Sequence, residues 1–239
     1  MSLLRVRGIT KRFGGVTANR DISFEVAPGE LVGIIGPNGA GKSTLFEVIT
    51  GFERPDAGEV TLDGHRLTGL GPDRVCRLGV ARTFQKLRPF PGLTALENVL
   101  AAALTPTRDL RQARRQAAEL LERVGLGDKA GAFARTLSTG QRKRLELARA
   151  LATRPRVLLL DEVTGGVDQG AIPGLVRLVQ DVHRSGLTVV MIEHNMRVIT
   201  AMAPRILALH LGELLADGPT DVVMRDRRVV EAYLGLAYA

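Results

Sequence analysis

Three apolar runs give the chain its clearest rhythm: "LVGII" at 31–35, "VLLL" at 157–160 and "LTVVMI" at 187–192, bounded by turn or charged residues. A strand buried on both faces of a parallel sheet needs no polar positions and reads this way. Residues 3–7 ("LLRVR"), 22–26 ("ISFEV") and 58–62 ("GEVTL") read as short strands, punctuated by "FGG", "APGE" and "DAGE" turns. Between the apolar runs, residues 94–153 are helix-compatible and rich in Ala, Leu, Arg and Glu. Within them "RDLRQARRQAAELLERVGL" spaces its apolar residues at the helical period and stops at Gly125. The order predicts a βα core interrupted by a helical insertion, with no internal repeat and no low-complexity linker.

A chain of 239 residues is long enough to bury a core, as one large domain or two small ones. Hydrophobic residues make up 45% and charged residues 24%, which argues against disorder. No apolar run approaches the roughly 18–20 residues that cross a bilayer, so no transmembrane helix is expected. The opening "MSLLRVRGITKRF" has charges where an export signal needs its apolar segment, so none is expected there. Cys76 is the single cysteine, which excludes an intrachain disulfide and fits a reducing compartment. The net charge of +8 permits an anionic partner without choosing between nucleotide, nucleic acid and a membrane surface.

The chemistry begins at "GPNGAGKST", residues 36–44, which fits G-x-x-x-x-G-K-[ST] at Gly36, Gly41, Lys42 and Ser43. The motif follows an apolar strand and precedes a helix-compatible run, the context it requires. Its glycines let successive N–H groups after Pro37, from Asn38-Gly39-Ala40-Gly41 and beyond, face phosphates, and Lys42 adds a point charge between the β- and γ-phosphates. Ser43 offers a hydroxyl to Mg²⁺, and Thr44 continues the helix. "VLLLDE" supplies the acids such a site needs: Asp161 for the Mg²⁺ shell and Glu162 as general base on the attacking water. His194, after the next apolar strand, suits a reporter of the γ-phosphate; His65, His183 and His210 have no such context and read as surface or packing residues. Gln85 in "ARTFQKL" sits where core gives way to insertion, as a ligand of Mg²⁺ or water or as a plain loop residue. A second anion site opens at "LSTGQ", 137–141, where Ser138 and the amides near Gly140 start a basic helix.

Together, "GPNGAGKST", Gln85, "LSTGQ", "LLLDE", "GVD" at 166–168 and His194 resemble the ATP-binding-cassette (ABC) ATPases over almost the whole chain. The resemblance implies an α/β fold: a P-loop NTPase (RecA-like) core with an N-terminal antiparallel β subdomain and an inserted α-helical subdomain. It makes residues 1–239 one domain, with the core at about 1–86 and 154–239 and the helical part at about 87–153. It implies ATP and Mg²⁺ as ligands. It also accounts for two phosphate sites in one chain: subunits pair head to tail, and the signature Ser138-Thr139-Gly140-Gln141 covers the ATP on the partner's loop. Phe13 would stack on adenine, with a core aromatic as the alternative, and Asp168 would lie at the dimer interface. The chain departs from the commonest pattern at Thr139, usually Gly, and at Val163, usually Pro; Val163 frees a constraint after Glu162 and bears on turnover.

More narrowly, "RFGGVTA", "GVARTFQ", "LTALENVL" and "VVEAYLG" look like ATPase subunits of branched-chain amino-acid importers, with lipopolysaccharide-export and urea-import ATPases as relatives. The expected partners are transmembrane permease subunits and a second ATPase subunit, homologous or identical. The expected place is peripheral, on the cytoplasmic face of the inner or plasma membrane. Residues 85–110 are a docking candidate for a permease loop, with ordinary packing as the alternative. A soluble ABC ATPase acting on nucleic acid or the ribosome competes through "RQARRQ" and "QRKRLELAR". Against it, residues 111–147 mix Arg with Glu119, Glu122 and Glu146, as solvated amphipathic faces do, so no specific nucleic acid is expected. A nucleotide sensor without turnover is the third class.

Overall fold

The computed structural model describes residues 2–85 and 87–234; Met1, Lys86 and residues 235–239, including the last Gly of "VVEAYLG", lie outside it. The chain opens with β1 (Leu4–Phe13), β2 (Val16–Val26), β3 (Leu31–Ile35) and α1 (Lys42–Ile49). Next come β4 (Ala57–Leu62), β5 (His65–Arg66), α2 (Pro72–Leu78) and β6 (Val80–Arg82). Three helices, α3 (Ala95–Ala103), α4 (Leu110–Arg123) and α5 (Thr139–Ala152), precede β7 (Val157–Asp161). The chain continues through α6 (Ile172–Arg184), β8 (Thr188–Ile192), α7 (Met196–Met202) and β9 (Arg205–His210). It closes with β10 (Glu213–Pro219), α8 (Thr220–Val223) and α9 (Arg227–Leu234).

Six strands form a sheet in the order β10-β9-β3-β8-β7-β6, parallel except for the β9–β10 hairpin. The apolar runs occupy its centre, where both faces are covered, and alternation along each strand feeds two separate cores. Leu31, Leu158, Leu160, Val189 and Met191 face the core shared with the helices. Val32, Ile34, Leu159, Val190 and Ile192 face the other, which holds α1 and the four-stranded antiparallel sheet β2-β1-β4-β5. The expected α/β fold is present, with its antiparallel sheet formed from the N-terminal strands.

β1 and β2 run well beyond the short strands expected, because Phe13 pairs with Val16 and Gly14-Gly15 closes the hairpin in two residues. Residues 124–138 are not helical as composition suggested. Gly125, at φ +72°, ends α4, and only single 3₁₀ turns at Gly127–Lys129 and Ala134–Thr136 follow. Asp109 starts α4 by accepting from the Arg111 and Gln112 amides, and Thr94 with Glu97 forms a capping box on α3. The edge strands β6 and β10 carry no continuous apolar signal of the kind that marks β3, β7 and β8, whereas β9, inside the sheet, has a buried apolar run at 206–209.

Candidate functional site

The phosphate loop hangs between the end of β3 and the start of α1. Two of its glycines are required by close approach: a Cβ on Gly36 would strike the Leu209 carbonyl oxygen, and one on Gly41 that of Ala18. Gly41, at φ +93°, is the N-cap of α1 and brings no side chain to its first amides, which stay available to an anion. Lys42 follows, buried, with its Nζ donating to the carbonyls of Gly36 at 2.7 Å and Pro37 at 2.9 Å. Burial holds its pKa below the usual lysine value, opposed by Glu162 and Asp161. Ser43 is exposed beside it. Two distant groups brace the loop: Tyr233 of α9 accepts the Gly36 N–H at 2.6 Å, and Asn19 of β2 donates to the Gly41 carbonyl at 3.0 Å.

Asp161 ends β7, buried, with Oδ2 accepting from Arg82 at 2.9 Å and its own amide donating to Thr83 at 3.1 Å. Oδ1 is buried and has no partner. Burial pushes the Asp161 carboxyl up and Arg82 opposes it. That orphaned oxygen, the Ser43 hydroxyl and the Gln85 amide oxygen are hard donors of the kind Mg²⁺ takes. Among the described residues no three His, Cys, Asp or Glu gather into a metal cage, which suits an ion bound through one carboxylate, waters and substrate phosphates. The donor set therefore fits Mg²⁺.

One residue on, Glu162 has φ +49°, a left-handed conformation uncommon for a residue with a Cβ. Its N–H donates to Ile192 at 2.9 Å, and its carbonyl accepts from Gly165 at 3.1 Å and from the Lys143 Nζ at 2.7 Å. These bonds hold the backbone at Glu162, with Val163 buried beside it. The Glu162 Oε1 lies 2.8 Å from His194 Nε2 and accepts from the Gln85 side-chain amide at 2.9 Å. Residues from beyond the ends of β6, β7 and β8 thus meet at one carboxylate oxygen, a contact that the sequence reading did not state. Such a carboxylate beside a phosphate loop is equipped for phosphoryl transfer to water.

Sequence reasoning passed over a second tie between the same two loops. Glu193, 2% exposed, accepts from the Thr164 N–H and hydroxyl, both at 2.9 Å. Burial raises its pKa, against the pull of the Thr164 bonds. The acid immediately before His194 in "IEHN" was the only available signal.

The second candidate anion site stands at the start of α5. Ser138 is its N-cap, accepting from the Gln141 amide at 3.3 Å, while the Gln141 side chain accepts the Ser138 N–H at 2.9 Å. Gly140 faces Val167 and Ala171, so the loop carrying exposed Asp168 packs against the signature that includes Thr139. Phe13 is not a core aromatic: it is 45% exposed, with the Lys11 ammonium 4.7 Å above its ring. Among the described residues no helix is long and apolar enough to cross a membrane.

A family model described as "ABC transporter" matches residues 19–165, and one described as "Branched-chain amino acid ATP-binding cassette transporter" matches residues 213–239. The chain is 39% identical, over 98% of both lengths, to the high-affinity branched-chain amino acid transport ATP-binding protein BraF of Pseudomonas aeruginosa. Among solved structures, a nucleotide-free ATP-binding cassette from an ABC transporter superposes with TM-score 0.89 at 32% identity, covering 98% of this chain and 100% of that one. A dimeric bacterial ABC transporter cassette superposes with TM-score 0.83 at 30% identity, covering 90% of this chain and 98% of the other.

Proposed function

The chain belongs to the ABC transporter ATPase family, and from that premise we propose that it is the ATP-hydrolysing subunit that powers import of branched-chain amino acids. The observation that carries the chemistry is the convergence of Gln85 and His194 on the Glu162 carboxylate beside the phosphate loop. The solute reading is supported by the likeness to BraF and by the match over residues 213–239.

In this reading the amides of 39–44 and Lys42 hold the phosphates of ATP, and Phe13 offers its exposed face to adenine. Asp161, Ser43 and Gln85 would hold Mg²⁺, which neutralises phosphate charge when bound. Glu162 accepts the proton of the attacking water, and His194 holds that carboxylate and meets the γ-phosphate. A second ATPase subunit, packed head to tail, brings its own Ser138-Thr139-Gly140-Gln141 over this ATP, with Asp168 at the seam. The domain divides at about residues 86 and 153, and the permease docks on the segment after Gln85. Phe90 is exposed there, and a cavity of about 260 Å³ lies between Phe52, Phe84, Ala102 and Arg149. The protein then sits on the cytoplasmic face of the membrane, held by its permease.

The basic stretch of α5 lends little to a nucleic-acid surface. Lys143, Arg144 and Arg149 donate inward, to the carbonyls of Glu162, Val124 and Arg88.

The test is uptake of labelled leucine, isoleucine and valine by cells lacking the chain. Uptake should be lost, and restored by the wild-type chain but not by Glu162→Gln. Unchanged branched-chain uptake with loss of urea uptake would move the chain to a related importer. Co-purification with ribosomes and no permease would end the transport reading.

A further inference from the structure

α5 does two things at once. Its first turn is the signature, aimed away from this chain's own phosphate loop in the reading above. One turn further in, Lys143 points inward instead: it is 5% exposed, and its Nζ donates to the Glu162 carbonyl at 2.7 Å. Four carboxylates lie in its electrostatic range: Glu146 on its own helix, then Glu193, Glu162 and Asp161. Periodicity places Lys143 in a basic run on an amphipathic helix, where a solvated cation is the ordinary outcome. The structure buries it among acids instead, where a lysine is rarely found unless it has work to do for them.

The object of that contact is an unusual backbone. Glu162 sits at φ +49°, and such a conformation persists only where the surroundings over-determine it. Its carbonyl has two donors. Gly165 belongs to the same turn and moves with it; among the described residues, Lys143 alone reaches it from another element. The carboxylate end is tied separately, by His194 and Gln85, and the following turn is clasped by Glu193 through Thr164. Removing the Lys143 ammonium leaves the Glu162 carbonyl held only from within its own turn, with the N–H still tied to Ile192.

We propose that Lys143 is a positioning residue for Glu162: from the signature helix, it holds the general base in the turned backbone that aims its carboxylate. The helix that covers the partner's ATP is then the same rigid body that sets this chain's base, about five residues and 7–8 Å further along its axis. The proposal rests on Glu162 as the base, and its test separates the two.

The experiment uses the full chain with Lys143→Met, Lys143→Arg and Glu162→Gln. It measures turnover at saturating Mg-ATP, affinity for a fluorescent ATP analogue, and melting temperature. For Lys143→Met we expect turnover to fall about tenfold or more with affinity within about twofold, because the phosphate loop is untouched. Lys143→Arg, which restores a buried cation and a donor, should recover at least half of the lost turnover. Turnover within twofold of wild type in Lys143→Met, with Glu162→Gln inactive, overturns the role of Lys143 alone. A parallel fall in affinity, turnover and melting temperature that Arg does not repair overturns it in favour of a purely structural cation. Full turnover in Glu162→Gln removes the base assignment itself, and the proposal with it.

Discussion

Two helices in this molecule start at a phosphate motif, and they start differently. α1 begins at Gly41, in a left-handed conformation, with no side chain capping it. α5 begins at Ser138 with a closed capping box, its hydroxyl and the Gln141 side chain satisfying two orphan amides. The uncapped start keeps its donors free and sits in a cradle too tight for any Cβ, so it suits a ligand that it binds by itself. The capped start is content without one. A phosphate that arrives there finds two of the amides, those of Ser138 and Gln141, already in use, and holds well only when something else has brought it. That is the behaviour wanted of a lid, and it puts the asymmetry between binding and covering into the local chemistry of two N-termini.

The largest effect should come from stalling both helices in engagement. Glu162→Gln is expected to lower turnover by about 100- to 10,000-fold, the usual reach of a general base, with ATP still bound. In Mg-ATP the variant should associate with itself or with its ATPase partner, as gel filtration with light scattering would show. A strictly monomeric ATP-loaded variant that also ignores that partner would leave α5 with nothing to cover. Next, Lys42→Ala should weaken ATP binding to the isolated chain by about 10- to 100-fold, the worth of charge-assisted bonds to phosphate. Ser138→Ala should leave that binding within about twofold while the pair's turnover falls. Equal losses of affinity in calorimetric titrations would erase the distinction between the two starts.

The glycines sharpen the same contrast at a smaller scale. Gly41→Ala combines a left-handed backbone with a collision, and should cost about 1–3 kcal/mol or more in denaturant unfolding. Gly140 has a nearest neighbour 3.7 Å from an added Cβ and lies inside the first turn of a helix. Gly140→Ala should therefore be neutral or stabilising by up to about 1 kcal/mol, even though it crowds the site proposed to meet the partner's ATP.

The smallest effect is a pH slope away from both helices. Glu193 has its pKa raised above 4.5 by burial, so the folded state holds this proton more tightly than the unfolded chain does. Its contribution is complete below the ordinary carboxylate range and is lost as pH rises through the raised value. Glu193→Gln should flatten the melting temperature across that window.

The parts of the site visible in the sequence are those whose chemistry fixes residue type and local spacing together. Gly36 to Thr44, Asp161 with Glu162, and His194 sit at ends of strands whose apolar runs announce them. What escaped is side-chain support from far along the chain. Arg82 reaches Asp161 across 79 residues, Lys143 reaches Glu162 across 19, and Tyr233 reaches Gly36 across 197. Two of those three bonds involve backbone atoms, which carry no residue signature at the receiving end. Lys143 and Glu146 look in the sequence like the solvated half of an amphipathic helix, and only packing against the β7 loop and the Gln85 segment shows otherwise. In the fold, β3, β7 and β8 were legible and the edges were not, because β6 and β10 are specified by their neighbours more than by their own composition; β9, an inner strand with an apolar run at 206–209, was passed over.

The place of β3 in the sheet sets a timetable. Its neighbours are β8 and β9, made from residues 188–192 and 205–210, and the loop that follows it waits further for Tyr233. On a ribosome adding 5–20 residues per second, the strand that bears the ATP seat stays unpaired for roughly 8–30 s after it is made. During that interval it is an apolar strand with two open edges, the state that chaperones recognise and aggregates recruit. A nascent chain interrupted before residue 205 has therefore no framed seat for ATP, and the cell meets this protein as an ATPase only after β9 has been made.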